Sequence, residues 1–424
     1  MKISLLTAAF LPVVSVAAAL LTAKMNYNGF KSLRIALSEN AEGVVERINQ
    51  LATTVLGPES QNGIDIIVSP ENIDAIHQLD VNTTVLIEDI GKAITRQHNP
   101  ASIYRGPSDY WFATFHPFED HGRFLQDVQA MFPNQSEIFT AGTSAEGQPL
   151  TGIHVWGAAG KGSRPAVIVH GTSHAREWVT TAMAEYVAFQ LLTKYETDAT
   201  IRRVVDKFDF YITPVANPDG FAYSKTFDRF WWKNRQPNPG TYCTGRDLNH
   251  NWPYNWELPG GAATEPCAVE YRGAAAADAP EVQGLKAQID ELAAGNGVQM
   301  FLDFHNYGQY ISWPFATNCT KVHTGNDALN SLAQRFIEAI DAQNNYRGQF
   351  KLGHACRTRW FHTGMAMDYA YGVGKAVYAY TIDMRDLGRY GHVIPSSLIL
   401  PWVEETWLGV LAMLQESLSV SLGQ

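Results

Sequence analysis

The stretch His170-Gly171-Thr172-Ser173-His174-Ala175-Arg176-Glu177-Trp178 sets a histidine and a carboxylate three residues apart where a strand turns into a helix. Upstream, Pro165-Ala166-Val167-Ile168-Val169-His170 is a β-branched run bounded by Gly and Pro and reads as a buried strand. Downstream, Trp178, Ala182, Tyr186 and Phe189 recur at helical spacing. His174 and Glu177 therefore leave the carboxyl end of a strand together, where open α/β sheets place their ligands. That is half of a metal site. Spacing alone does not make one, because His116-Pro117-Phe118-Glu119 repeats the pattern with no strand before it and reads as the solvated start of a helix. His305, which closes the run Phe301-Leu302-Asp303-Phe304-His305 at another strand end, supplies a third candidate ligand 128 residues beyond Glu177.

Further apolar runs read as buried strands: Phe208–Thr213, Val298–Phe304 and Ala376–Ile382. Helical patterns separate them at Trp178–Lys194, Glu281–Ala294, Ala328–Gln343 and Trp402–Leu418. Such alternation predicts an α/β fold, a mostly parallel mixed sheet with helices on both faces. Before it, strands at Ser32–Leu37, Ile64–Val68 and Thr84–Glu88 and helices near Glu42–Leu51 and Glu71–Leu79 describe a small α+β unit. A core that small is marginal, so the unit is expected to lean on its larger neighbour. Residues 98–109 are rich in turn formers and predict a linker, with Arg105 or Arg96 as a processing point.

The net charge of −10 argues against a nucleic-acid partner. Lys2, the apolar run Ile3–Val16 and Ala17-Ala18-Ala19 have the pattern of a cleaved secretory signal, with a signal anchor as the alternative. No other segment is expected to span a membrane. Outside the cytosol the four cysteines oxidise. Cys243, Cys267, Cys319 and Cys356 allow three pairings, of which the local closures Cys243–Cys267 and Cys319–Cys356 are favoured. Sequons at Asn82, Asn134 and Asn318 suit a secreted glycoprotein.

Taken in order, His174-Ala-Arg-Glu177-Trp, Asn217-Pro-Asp-Gly220-Phe, Asp247-Leu-Asn249-His250-Asn-Trp252, Asp303-Phe-His305-Asn-Tyr307-Gly and Met384-Arg385-Asp386-Leu-Gly388-Arg-Tyr390-Gly391 resemble the zinc metallocarboxypeptidases of the carboxypeptidase A type, the M14 family, in a fungal secreted form. The resemblance runs through the whole chain. It implies a signal peptide (1–19), an activation propeptide (20–99), a linker with the processing site (100–109) and a metallocarboxypeptidase domain (110–424). It also implies one zinc ion held by His174, Glu177 and His305, with Asp247 orienting the first histidine. Three protein ligands leave a position for water, as catalytic zinc requires. The expected partners are peptide C-termini and an activating protease.

The same resemblance exposes departures. The general-base glutamate falls on Asp383, shorter by about 1.5 Å, and roughly 1 Å of misplacement costs on the order of 10²-fold in rate. The Asn-Arg grip on the substrate carboxylate falls on Asn249 and His250, and histidine has no bidentate fork. An oxyanion-stabilising arginine falls on Trp232, where loss of such a donor typically costs about 10² to 10³ in rate. The tyrosine that closes over substrate falls on Trp360. Arg176 and Tyr307 keep substrate-binding positions, and Met367, at the position that sets side-chain preference, predicts an apolar pocket. Two functions follow as expectations: a proenzyme of strongly reduced carboxypeptidase activity, or a zinc-binding pseudoenzyme with a binding or regulatory role.

Overall fold

The computed structural model describes residues 24–37, 42–56, 63–97, 106–320, 325–343, 349–358 and 361–419. The predicted signal segment, most of the linker with Arg105, and Trp360 lie outside the described residues. The small N-terminal unit is a four-stranded antiparallel sheet of β1 (Lys31–Ile35), β2 (Thr54–Val55), β3 (Ile64–Val68) and β4 (Thr83–Ile87), in the order β2-β3-β1-β4. Helices Glu42–Leu51 and Ile90–Gln97 accompany it.

The larger unit is an eight-stranded mixed sheet. In chain order its strands are β5 (Ser136–Thr143), β6 (Pro149–Val155), β7 (Ala166–Gly171), β8 (Asp209–Thr213), β9 (Val298–Asn306), β10 (Tyr310–Trp313), β11 (Lys351–His354) and β12 (Tyr378–Met384). Across the sheet they run β11-β10-β12-β9-β7-β8-β6-β5. The central block β12-β9-β7-β8 is parallel, and antiparallel pairings flank it.

The pleat sends alternate residues to opposite faces, and both faces are buried. Val167 and Val169 of β7, Met300, Leu302 and Phe304 of β9, and Tyr380 and Ile382 of β12 join one core with helices Trp178–Lys194, Asn326–Gln343 and Ile399–Ser417. Ile168, Phe301 and Ala379 join a second core with helices Pro280–Ala294 and Ala366–Gly372. Each such aliphatic side chain contributes about 1.5–3 kcal/mol by leaving water. Parity then fixes the chemistry, because Asp303 and His305 share the face of Phe301, and Asp383 shares that of Ala379.

Two sequence expectations need correction. His116 is not solvated: only Phe118–Met131 is helical, and the His116 ring is buried, stacked on Trp111 with centroids 3.5 Å apart. Burial pushes its pKa down to about 4. Second, the segment Ser396–Ser417 is by length and composition apolar enough to cross a membrane. Val403, Val410 and Met413 are instead fully buried in the first core, so its apolar character serves the fold.

The two units are packed together. Tyr27, Leu56, Ile67 and Ile90 of the small unit bury against Phe230 and Val393 of the large one. Asp65 accepts from Tyr307 Oη at 2.6 Å while holding Arg34 through two 2.7 Å bonds, and Arg34 also donates to the Leu387 carbonyl. Disulfides join Cys243 to Cys267 and Cys319 to Cys356.

Candidate metal centre

β7 ends at Gly171, where a side chain would meet the carbonyl oxygens of Thr180 and Pro214 at 2.6 and 2.8 Å, so the chain passes here only as glycine. The loop that follows is tied down before the helix starts at Trp178. Thr172 N donates to Thr180 Oγ1 at 2.8 Å, Asn217 Nδ2 to the Ser173 carbonyl at 3.1 Å, and Ala175 N to the Trp232 carbonyl at 2.9 Å. This loop delivers His174 and Glu177 to the end of the neighbouring strand β9, which carries His305.

Three groups converge there. His174 Nδ1 and His305 Nδ1 lie 3.1 Å apart; Glu177 Oε1 is 3.3 Å from the former and Oε2 3.1 Å from the latter. All three residues are buried, and their ligand atoms lie within 4.8 Å of one another. Two lone-pair nitrogens and a carboxylate directed at one point form the donor set of a tetrahedral zinc site with one position open. The opposite ring nitrogens are held as well: His174 Nε2 lies 3.1 Å from Asp247 Oδ1, and His305 Nε2 lies 2.9 Å from Asp303 Oδ2. Such carboxylates fix the tautomer and raise ligand basicity. The residues therefore fit a divalent metal.

The electrostatics agree. Burial opposes charge on both imidazoles, yet Glu177 and Asp247 raise the pKa of His174, and Asp303 and Glu177 raise that of His305 well above its ordinary value. Burial likewise opposes ionisation of Glu177, but the two histidines hold its carboxyl below the usual range. A field that favours added positive charge at these atoms favours a bound cation.

Around this centre lie most of the other predicted residues. The Trp232 ring stacks on His174 at 3.6 Å, and its indole N–H donates to Asp247 Oδ2 at 2.8 Å. Asn249 Oδ1 accepts from Ala366 N at 3.0 Å, and its Nδ2 is 3.3 Å from His305 Nε2. His250 Nδ1 donates to the Thr363 carbonyl at 2.8 Å. Asp383 is buried and pairs in register with His305, so the two side chains leave the same face of adjacent strands. Met367 is buried, its sulfur 3.6 Å from Thr381 Oγ1, one step down that face from Asp383. Arg176 is fully buried, its guanidinium 4.2 Å from the Trp232 ring; burial brings its pKa down to about 10. Tyr307 is turned to Asp65 of the small unit. Asn82 and Asn134 are exposed and Asn318 is half-buried.

Sequence reasoning missed Asp303 as a partner of His305 and missed His392. The signal for Asp303 was present, since residues two apart on a strand share a face. His392 had none, because its Nε2 donates at 2.9 Å to the carbonyl of Leu56, 336 residues away in the chain.

With this geometry in view, comparison with known proteins is decisive. Residues 122–409 match the family model described as zinc carboxypeptidase, Peptidase M14. The chain belongs to the zinc carboxypeptidase family. Relatives of this carboxypeptidase-family chain include a probable metallocarboxypeptidase A of Trichophyton verrucosum, 38% identical over 410 residues, covering 95% of this chain and 96% of that one. Metallocarboxypeptidase A of Arthroderma otae is 39% identical over 420 residues, covering 97% and 98%. The crystal structure of thrombin activatable fibrinolysis inhibitor has the same fold, with a TM-score of 0.83 at 23% identity, covering 92% of this chain and 99% of that one. Carboxypeptidase A from Helicoverpa armigera gives 0.82 at 22%, covering 93% and 99%. Membership of this family implies a zinc cofactor, and the His174–Glu177–His305 group is the place for it.

Proposed function

We propose that this carboxypeptidase is a secreted proenzyme that binds one zinc ion at His174, Glu177 and His305 and removes apolar C-terminal residues from peptides at a strongly reduced rate. The observation that carries the reading is the convergence of the two Nδ1 atoms and the Glu177 carboxylate, each imidazole backed by a carboxylate. Bound zinc would supply a Lewis acid for the scissile carbonyl and an acidified water.

The protein's own groups divide the remaining work. Asp247 and Asp303 hold the two imidazoles in the ligand tautomer. Asp383, beside His305 on the adjacent strand, is the group placed to take a proton from an attacking water. Its shorter reach slows that transfer. Met367 and the small residues Ala366 and Ala370 give the wall beyond the metal its apolar character. Asn249 and His250 stand where the substrate carboxylate is expected, but no guanidinium from either position faces it, so C-terminal binding is weak.

The small unit suits a propeptide, since β2 and the residue after it contact Arg176 and His392 while Asp65 holds Tyr307. A linker at 98–109 gives a protease a place to separate the units.

A zinc-binding pseudoenzyme is the second reading. What favours it is that the Trp232 indole N–H is spent on Asp247 and the His250 Nδ1–H on Thr363, leaving neither for a reacting carbonyl or a carboxylate. The deciding experiment cuts the zinc-loaded chain in its linker and offers a blocked dipeptide ending in Leu between about pH 4 and 8. Chelator-sensitive release of leucine supports the enzyme reading. Silence at every pH, with zinc bound, overturns it in favour of the pseudoenzyme.

A further inference from the structure

The contact between the small unit and Arg176 says something about the substrate. Arg176 Nη2 and His392 Nε2 both donate at 2.9 Å to one oxygen, the carbonyl of Leu56. The other acceptors of Arg176 are at the outer limit of hydrogen bonding: Thr54 Oγ1 at 3.5 Å and the Phe230 carbonyl at 3.4 Å. All of these acceptors are neutral. Arg176 Nε and His392 Nδ1 are buried without a partner among the described residues. A fully buried guanidinium satisfied only by neutral oxygens is costly, and a carboxylate is the ligand that would offset the cost.

The two donors are also held in place by groups belonging to the large unit. Arg229 Nη1 donates to the Arg176 carbonyl at 2.9 Å and Nη2 donates to the His392 carbonyl, which ties the two backbones together. The Trp232 ring supports the Arg176 guanidinium from below. This scaffold remains when the small unit, with its Leu56 oxygen, is gone.

The site has a defined place relative to the metal. Contacts run from Asn249 and Asp247 to His174, across the ring of Trp232, to Arg176 and on to His392 by way of Arg229. A peptide with its C-terminal residue at His250 and Met367 therefore carries its preceding residues toward Arg176 and His392.

We propose that Arg176 and His392 form a carboxylate-selective subsite, occupied by the Leu56 carbonyl in the intact chain, that receives an aspartate or glutamate side chain N-terminal to the cleaved bond. The inference rests on the carboxypeptidase reading and names the substrate class for it: acidic peptides with an apolar C-terminus. Arg176 supplies the charge and His392 a second, neutral donor that fixes the oxygen.

The test uses the zinc-loaded full chain cut in its linker and fluorescent peptides ending in Leu. Each carries one Glu two, three or four residues before the C-terminus and is matched by a Gln peptide; Kd and leucine release are both measured. One position should show Glu bound about 10-fold or more tighter than Gln, as a charge-assisted pair predicts. That ratio should fall to near 1 in Arg176→Gln and shrink in His392→Phe. Glu and Gln peptides bound within twofold at every position, or a preference that survives both substitutions, overturns the subsite and leaves the carboxypeptidase reading standing. Peptides that neither bind nor release leucine while zinc is bound overturn both. The wild-type Glu/Gln ratio decides the matter even where a variant fails to fold.

Discussion

Asp303→Asn isolates the second imidazole-holding carboxylate. Asp303 is fully buried on β9, and its Oδ2 lies 2.9 Å from His305 Nε2, closer than the 3.1 Å between Asp247 and His174. Its remaining side-chain contact is weak, Ser173 Oγ at 3.4 Å from Oδ1, so the carboxylate serves His305 almost alone. Asparagine keeps the volume and can still accept from the imidazole N–H; what it removes is the charge that raises ligand basicity. Loss of such a partner costs about 10- to 100-fold in metal affinity, or roughly 1.4–2.7 kcal/mol at 1.4 kcal/mol per factor of ten. With the acceptor retained, Asp303→Asn should sit near the 10-fold end. Asp247→Asn should cost more, because Asp247 also accepts from Trp232 Nε1 and Asn249 N. The assay is competition for zinc against a chromogenic chelator at fixed pH, with circular dichroism to confirm the fold. Affinity within twofold of wild type in a folded Asp303→Asn protein would refute the role given to this carboxylate.

Three further outcomes follow from the same geometry. Asp383→Glu restores about 1.5 Å of reach to the base and should raise kcat in the linker-cut chain by roughly 10- to 100-fold with little change in KM; an unchanged kcat means that Asp383 is not the limiting group. His116 has its pKa lowered to about 4 by burial against Trp111, so the folded state keeps it neutral while the unfolded chain binds a proton below its ordinary value near 6.5. Stability from this group is therefore full above pH 6.5 and falls as the pH drops toward 4, by up to about 3 kcal/mol; His116→Phe should flatten the Tm-versus-pH curve across that window. Asp65→Ala removes the acceptor shared by Tyr307 and Arg34, so limited proteolysis should release the small unit faster than in wild type, while equal rates would show that this contact does not hold the unit.

The sequence was most readable where burial is continuous. β9 is buried at every position and Trp178–Lys194 at nearly every one, and both appeared as unbroken apolar runs with nearly correct ends. The β5–β6 hairpin was missed because its outer strand is half-exposed and Gly142 and Gly152 break the apolar pattern. Phe118–Met131 was missed because His121 and Gly122 interrupt the helical stripe, yet His121 is buried against Glu185 at 2.7 Å, a pairing that becomes evident only in three dimensions. At the site, His174, Glu177, His305 and Asp247 were legible through motif and order. The roles of neighbouring groups were not, since they depend on contacts between distant segments: Trp232 reaches Asp247 across 15 residues, and Leu56 reaches His392 across 336.

The most direct test of the account is leucine release from a blocked dipeptide by the linker-cut chain, measured before chelation, after chelation and after zinc is restored. The account predicts slow release that disappears with the chelator and returns with one equivalent of zinc per chain. Release that is indifferent to the chelator, or no release from a chain that holds its zinc, would contradict it.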